Sequence, residues 1–342
     1  MPAVMRVSIR HLLKFALGPV ALAASFAIVP ASSIAADSSD IGASFDRTFG
    51  TQARVPVESP YDDPFQTQIL QLASAGQGRI GVAAFDLATG RSVAVLGDQP
   101  FPMASTSKVA IAATFLEMVD SGRYKLTDQL PLMVPVASRK FAGPVAPVRP
   151  GMYISAQGLI DLALTRSSNP ATDALLAAVG GPRAVNDWLR RAGLAGVRLD
   201  RDIATLVRDD GAVDPATTID PRDSTTPMAM VRLLAGLHRG QWLRPESRAV
   251  ILGAMARCET GKRRIKALLP GVSIAHKTGT LANTASDIGI INMPDGRVVA
   301  LAIYVTGQGG KPYRDARIAE IARAIYNGYL FNSATLSRTV AR

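Results

Sequence analysis

The chain has 342 residues, 48% hydrophobic and 19% charged; this excludes a disordered protein and suffices for one large domain or two lobes. Its formal charge is +11, but Lys and Arg are scattered instead of gathered in runs, which argues against nucleic-acid binding and fits an acidic substrate or an anionic envelope polymer. The lone Cys258 excludes an intrachain disulfide and reads as a small buried hydrophobe, and the three histidines show no zinc spacing, so no metal or organic cofactor is implied.

Residues 1–36 read as a secretory signal. Arg6, Arg10 and Lys14 precede an apolar run from Phe15 to Val29, and small residues from Ala31 to Ala36 offer a cleavage site. The run is short for a membrane span and is closed by Pro30. The mature chain is therefore expected to be exported, periplasmic or secreted, free of the membrane and monomeric. Residues 37–60 form a polar leader rich in Asp, Ser and Pro.

An amphipathic helix is predicted at about 64–75. Alternating apolar residues in 79–86 and 92–96, joined by a turn ending at Gly90, predict a half-buried hairpin. From Ser105 to Ser121 the period changes to that of a deeply buried helix, with Val109, Ile111, Ala112, Phe115, Leu116 and Val119 as its apolar set. Further helices are predicted at 155–166, 170–179, 182–192, 227–239 and 245–256. Pro182 and Pro227 occupy first-turn positions, after Gly181 and Thr226 as caps. Strands follow at 272–280, 287–293 and 298–306, then a helix at 312–329.

This order predicts an α/β (α+β) fold. A five-stranded antiparallel sheet is built from both chain ends and flanked by helices, with an all-helical lobe inserted between them. The sheet lobe takes about 61–103 and 262–332, the helical lobe about 104–261, and 333–342 form a tail.

Three motifs carry the chemistry. In Ser105-Thr106-Ser107-Lys108, serine and lysine share one helical face. A buried lysine sheds its proton readily and can then take the serine proton. The helix N-terminus offers backbone N–H groups to an oxyanion. Ser167-Ser168-Asn169 sits between two predicted helices; taken alone it is also an ordinary polar turn. Lys277-Thr278-Gly279-Thr280 ends a strand, where Gly279 lets a ligand lie close to the backbone. Neither His238 nor His276 stands in a triad motif, so a base other than histidine is expected.

In this order and at these spacings, 62 residues from Ser105 to Ser167 and 110 from Ser167 to Lys277, the set resembles the S-x-x-K, S-D-N and K-T-G motifs of class A β-lactamases and penicillin-binding proteins. Arg198-Leu-Asp-Arg201, Asp223-Ser-Thr-Thr-Pro227 and Thr260-Gly261 are similar too, and the resemblance covers about 63–330.

The resemblance implies that Ser105 attacks a β-lactam or a peptidoglycan-like D-Ala acyl donor. Lys108 handles its proton, and Ser167 passes a proton to the leaving nitrogen. Asn169 binds the acylamide side chain or orients Lys108. Lys277 and Thr278 attract the substrate carboxylate, and the N–H groups of Ser105 and Thr280 form the oxyanion hole. Arg264 is either a second carboxylate contact or an exposed arginine.

One segment departs from the family. Where the family carries the Glu that activates the releasing water, and an Asn that holds it, alignment gives Ile203 and Val207. Ser168 replaces the middle Asp of S-D-N. The loop from Arg198 to Pro227 is long, at 30 residues, and Asp202, Asp209, Asp210 or Asp214 could substitute as base; Asp202 is the nearest. Arg201 and Asp223 are expected to pair across the loop neck. The implied activity is serine β-lactam hydrolysis with slow deacylation. The alternatives are a penicillin-binding D-Ala peptidase or esterase, and a protein that captures β-lactams or wall fragments without turnover.

Overall fold

The computed structural model describes residues 64–137 and 144–340. The predicted signal and leader lie outside the described residues. Among those described, no helix is long and apolar enough to cross a membrane.

The chain opens with α1 (Pro64–Leu72), then β1 (Gly78–Asp86) and β2 (Ser92–Val95). Its last strands are β7 (Ile274–Leu281), β8 (Thr284–Asn292) and β9 (Val298–Gly307). Together they form one five-stranded sheet in the order β2-β1-β9-β8-β7, antiparallel throughout. Strand alternation sorts the side chains between two cores. Ile80, Val82, Ala84, Leu301, Ile303 and Val305 face α1 and the final helix α9 (Lys311–Val340). Ala83, Phe85, Ala300, Ala302 and Tyr304 face the inserted lobe. The expected half-buried hairpin is thus corrected for β1, which is buried on both faces because a helical layer covers each. The final helix also runs into the segment expected to be a tail.

The inserted lobe is led by α2 (Lys108–Asp120), whose residues Lys108 to Leu116 are all buried. It also holds α3 (Ala156–Thr165), α4 (Asn169–Val179), α5 (Pro182–Arg191), the short α6 (Ile203–Arg208), α7 (Pro227–Arg239) and α8 (Pro245–Ala256). Pro182 and Pro227 do sit in first turns after Gly181 and Thr226, and the Thr226 hydroxyl accepts the N–H of Ala229 at 3.1 Å.

The lobe is not all-helical. β4 (Gln129–Ala137) and β5 (Pro144–Ser155) form a two-stranded ribbon that packs on α4. Pro131, Pro135, Pro147 and Pro150 hide this ribbon from a sequence reading, since proline is excluded from central strands. A two-stranded ribbon has only edges, and its register shifts at Pro131/Met133 and Pro135/Val136. Two shorter strands, β3 (Phe101–Pro102) and β6 (Ser224–Thr225), pair to tie the entry of the site to the end of the long loop.

Candidate active site

The serine of the first motif does not open an α-helix. Ser105 lies in a 3₁₀ turn, Ala104–Ser107, that runs straight into α2 at Lys108. Ala104 takes a left-handed backbone at φ 48°, a conformation seldom adopted by a residue with a Cβ. The turn is pressed against β7. A Cβ added to Gly279 would lie 2.7 Å from the Met103 carbonyl oxygen and 2.5 Å from Ser286 Oγ, so the strand reaches the turn only because residue 279 is glycine.

Lys108 is fully buried. Its ammonium donates to the Ser167 carbonyl oxygen at 2.6 Å, to Asn169 Oδ1 at 2.7 Å and to Ser167 Oγ at 3.3 Å. Ser167 has a left-handed backbone, φ 60°, and turns both of its oxygens to that amine. Lys277, also fully buried, donates to Ser167 Oγ at 3.0 Å and to the Thr278 carbonyl oxygen at 2.9 Å. Ser167 Oγ is therefore shared by two lysines, one from each lobe. Burial lowers Lys108 well below the usual lysine value; the charge of Lys277 adds to this and that of Asp173 opposes it. Burial likewise brings Lys277 down to about 8.

The structure thus brings together Ser105, Lys108, Ser167, Asn169 and the Lys277–Thr280 strand end. Ser168, where the family has Asp, caps α4 by accepting the N–H of Ala171 at 3.3 Å. Thr278 Oγ1 lies 2.6 Å from Thr260 Oγ1.

Arg264 is buried, which removes the exposed alternative. Its guanidinium donates to Asp315 Oδ1 and to the carbonyl oxygens of Gly279 and Ser286, each at 2.7 Å, and to Thr280 Oγ1 at 2.6 Å. It braces the strand end from behind.

Arg201 and Asp223 meet at the loop neck, Nε to Oδ2 at 2.7 Å. Asp223 Oδ1 also accepts the N–H groups of Asp200 and Arg201. Asp202, expected as a substitute base, instead caps α6 by accepting the Thr205 N–H at 2.6 Å. Asp209 pairs with Arg201 and Arg208. Asp210 accepts the N–H of Ala282, and Asp214 accepts from Asn283 Nδ2 at 2.8 Å, so both tie the loop to the β7–β8 turn.

Two features escaped the sequence reading. The first is Asp173, 3% exposed, whose oxygens accept the N–H of Ile203 at 2.7 Å and of Ala204 at 3.0 Å. Burial raises its carboxyl to about 6, against those backbone hydrogen bonds, and it feels the charge of Lys108. Its place one helical turn after Asn169 was the available signal. The second is the buried pair His276–Asp287 next to Cys258. Ile203 itself is packed in the core.

The β-lactamase enzyme family model matches residues 64–329. The chain belongs to that family. Over 275 residues it is 30% identical to β-lactamase CTX-M-6 of Salmonella typhimurium, covering 77% of this chain and 89% of that protein. Over 267 residues it is 31% identical to β-lactamase Toho-1 of Escherichia coli, with the same coverage of each chain. Among solved structures it resembles the last common ancestor of Gram-negative bacteria class A β-lactamase (GNCA4), with 34% identity and a TM-score of 0.66, over 78% of this chain and 100% of that one. In this chain the Ser105 turn lies where the sheet, through β7 and β8, meets the helical lobe, through α2.

Proposed function

We propose that the chain is an exported serine β-lactamase that opens the β-lactam amide through a Ser105 acyl-enzyme. One observation carries the reading: Ser167 Oγ lies between two buried lysines, beside the turn that bears Ser105. Burial makes the Lys108 amine easier to deprotonate, and the neutral amine can accept the Ser105 proton as Oγ attacks the lactam carbonyl. Ser167 then relays a proton to the lactam nitrogen as the C–N bond breaks. Lys277 and Thr278 hold the substrate carboxylate, and Asn169 holds the acylamide. The N–H groups of Ser105 and Thr280 receive the oxyanion.

Release of the acyl group is slow. Ile203 is part of the core and has no group that activates water, and Asp202 spends Oδ1 on a helix cap. The buried carboxylate that senses the charge of Lys108 is Asp173, and it is the base assigned to that task. A value near 6 suits a base at neutral pH, but both of its oxygens already accept backbone hydrogen bonds. The same facts favour, as a second reading, a penicillin-binding protein whose adduct persists.

Intact mass spectrometry of the mature protein with benzylpenicillin tests this over time. An adduct that forms and then decays, is absent in Ser105→Ala, and outlives the original in Asp173→Asn is expected. A permanent adduct selects the second reading, and no adduct, or one that survives in Ser105→Ala, overturns the assignment of Ser105.

A further inference from the structure

One side of β7 is held by the segment Cys258–Arg264 at every second residue. Cys258 lies at His276, Thr260 at Thr278 and Arg264 at Thr280. Strand alternation sets these three positions on the face opposite Lys277. The approach is close: Gly261 has φ 71°, and a Cβ there would lie 2.2 Å from Thr278 Cγ2.

Behind the two threonine hydroxyls lies a buried array that the reaction described above does not use. His276 and Asp287 are both fully buried, and His276 Nδ1 lies 3.0 and 3.1 Å from the two Asp287 oxygens. The other ring nitrogen, Nε2, is buried without a hydrogen-bond partner, and Cys258 is close enough for its sulfur and the ring to act on one another's charge. That sulfur lies 3.3 Å from Thr260 Oγ1. An imidazolium held by a carboxylate on one side and near a thiol on the other stabilises the thiolate that forms when the thiol gives its proton to solvent. Burial pushes the Cys258 thiol up, but the nearby His276, the Thr260 hydroxyl and the charge of Lys277 outweigh it and bring the thiol to about 7. Burial pulls His276 down, and Asp287 outweighs it, raising the ring to about 9. Besides His276, the charge acting on the sulfur is that of Lys277 on β7; Asp287 on β8 holds the far side of the ring, and Arg264 is spent on Asp315. Glu259 turns outward to Arg166.

Proton accounting gives this array a direction. Thr260 Oγ1 has one proton and two neighbours, the sulfur and Thr278 Oγ1. A thiolate only accepts. With Cys258 ionised, Thr260 donates to sulfur, Thr278 donates to Thr260, and Thr278 shows only lone pairs to a ligand. With Cys258 protonated, Thr260 can turn its proton to Thr278, and the Thr278 proton is free for an anion.

We propose that Cys258 and His276, braced by Asp287, set the direction of the Thr260–Thr278 hydroxyl pair and so decide whether β7 offers a substrate carboxylate a proton or a lone pair. Cys258 is a positioning residue here. The inference rests on the assignment of Lys277 and Thr278 to the substrate carboxylate.

The test is KM and kcat for nitrocefin, a carboxylate-bearing β-lactam, as pH passes through about 7 to about 9, with the thiolate absorbance of the protein followed in parallel. KM is expected to rise about tenfold as the thiol ionises, the worth of one hydrogen bond to a charged group, with kcat little changed. Thr260→Val keeps the thiolate titration but loses this rise, retaining only the later weakening as Lys277 gives up its proton near 8. Cys258→Ala loses both the titration and the early rise. An early rise that survives in Thr260→Val or in Cys258→Ala overturns the inference, as does a sulfur that titrates at the ordinary thiol value. A chain that forms no Ser105 adduct overturns the functional reading and this inference together. A chain that forms the adduct, with no early rise in KM, overturns the inference alone.

Discussion

Three cations are buried within one site, and the two sides of β7 treat them in opposite ways. On the side of Ser105, Lys108 and Lys277 have hydroxyl, amide and carbonyl oxygens for partners; among the described residues no carboxylate forms a salt bridge with either. On the other side, Arg264 has Asp315 at 2.7 Å and its remaining donors on two carbonyls and a hydroxyl. A buried cation with no counter-charge is costly and gives up its proton easily. A buried cation that is fully paired is a strut. One strand thus divides proton chemistry from mechanical support.

This contrast predicts opposite outcomes for the same kind of substitution. Lys108→Met removes the proposed base, and the rate of adduct formation is expected to fall by about 10²–10⁴-fold, while the melting temperature holds or rises because a buried amine without a salt bridge is gone. Stopped-flow acylation and thermal melts on one preparation measure both. Arg264→Met takes away the buried partner of Asp315, leaving it only the half-exposed Lys311, and frees the carbonyls of Gly279 and Ser286; it is expected to cost about 3–5 kcal/mol of stability in denaturant unfolding. A loss below about 1 kcal/mol would mean that Arg264 is no strut. A smaller effect concerns Lys277, held at about 8 in the folded chain against 10.5. Its folded value is the lower one, so between them the unfolded chain binds the extra proton. Stability therefore gains up to about 3 kcal/mol from this residue as pH rises through that window. In Lys277→Met this contribution to the slope is expected to vanish.

The proton-handling side was legible in the sequence and the supporting side was not, for a physical reason. Ser105 and Lys108 lie within one helical turn, and the Lys277–Thr280 run is contiguous on a strand, so each states its chemistry locally. Asp315 lies 51 residues beyond Arg264 on the final helix, and nothing near Arg264 announces it. Asp173 shares a helical face with Asn169, but its partners, the N–H groups of Ile203 and Ala204, are 30 and 31 residues away. His276 and Asp287 meet because β7 and β8 pair in a register that sets Thr278 against Asp287, which composition alone does not fix. The loop acids illustrate the same limit. The sequence offered four carboxylates as candidate bases, and the fold uses Asp202, Asp210 and Asp214 to fasten backbone or a side-chain amide, and Asp209 to hold arginines.

The sheet order carries a consequence for how the protein is made. β1 pairs along its whole length with β9, from Gly78 opposite Gly307 to Asp86 opposite Val299. A ribosome therefore releases β1 more than 200 residues before its partner β9 exists, although β2 follows at once, and the β1–β9 pairing cannot close until synthesis is nearly complete. Until then β7 has no finished platform, and Lys277 cannot be presented to Ser167. If the chemistry of Ser105 requires Lys277 against Ser167, activity is expected to appear only when the last strand has joined the sheet.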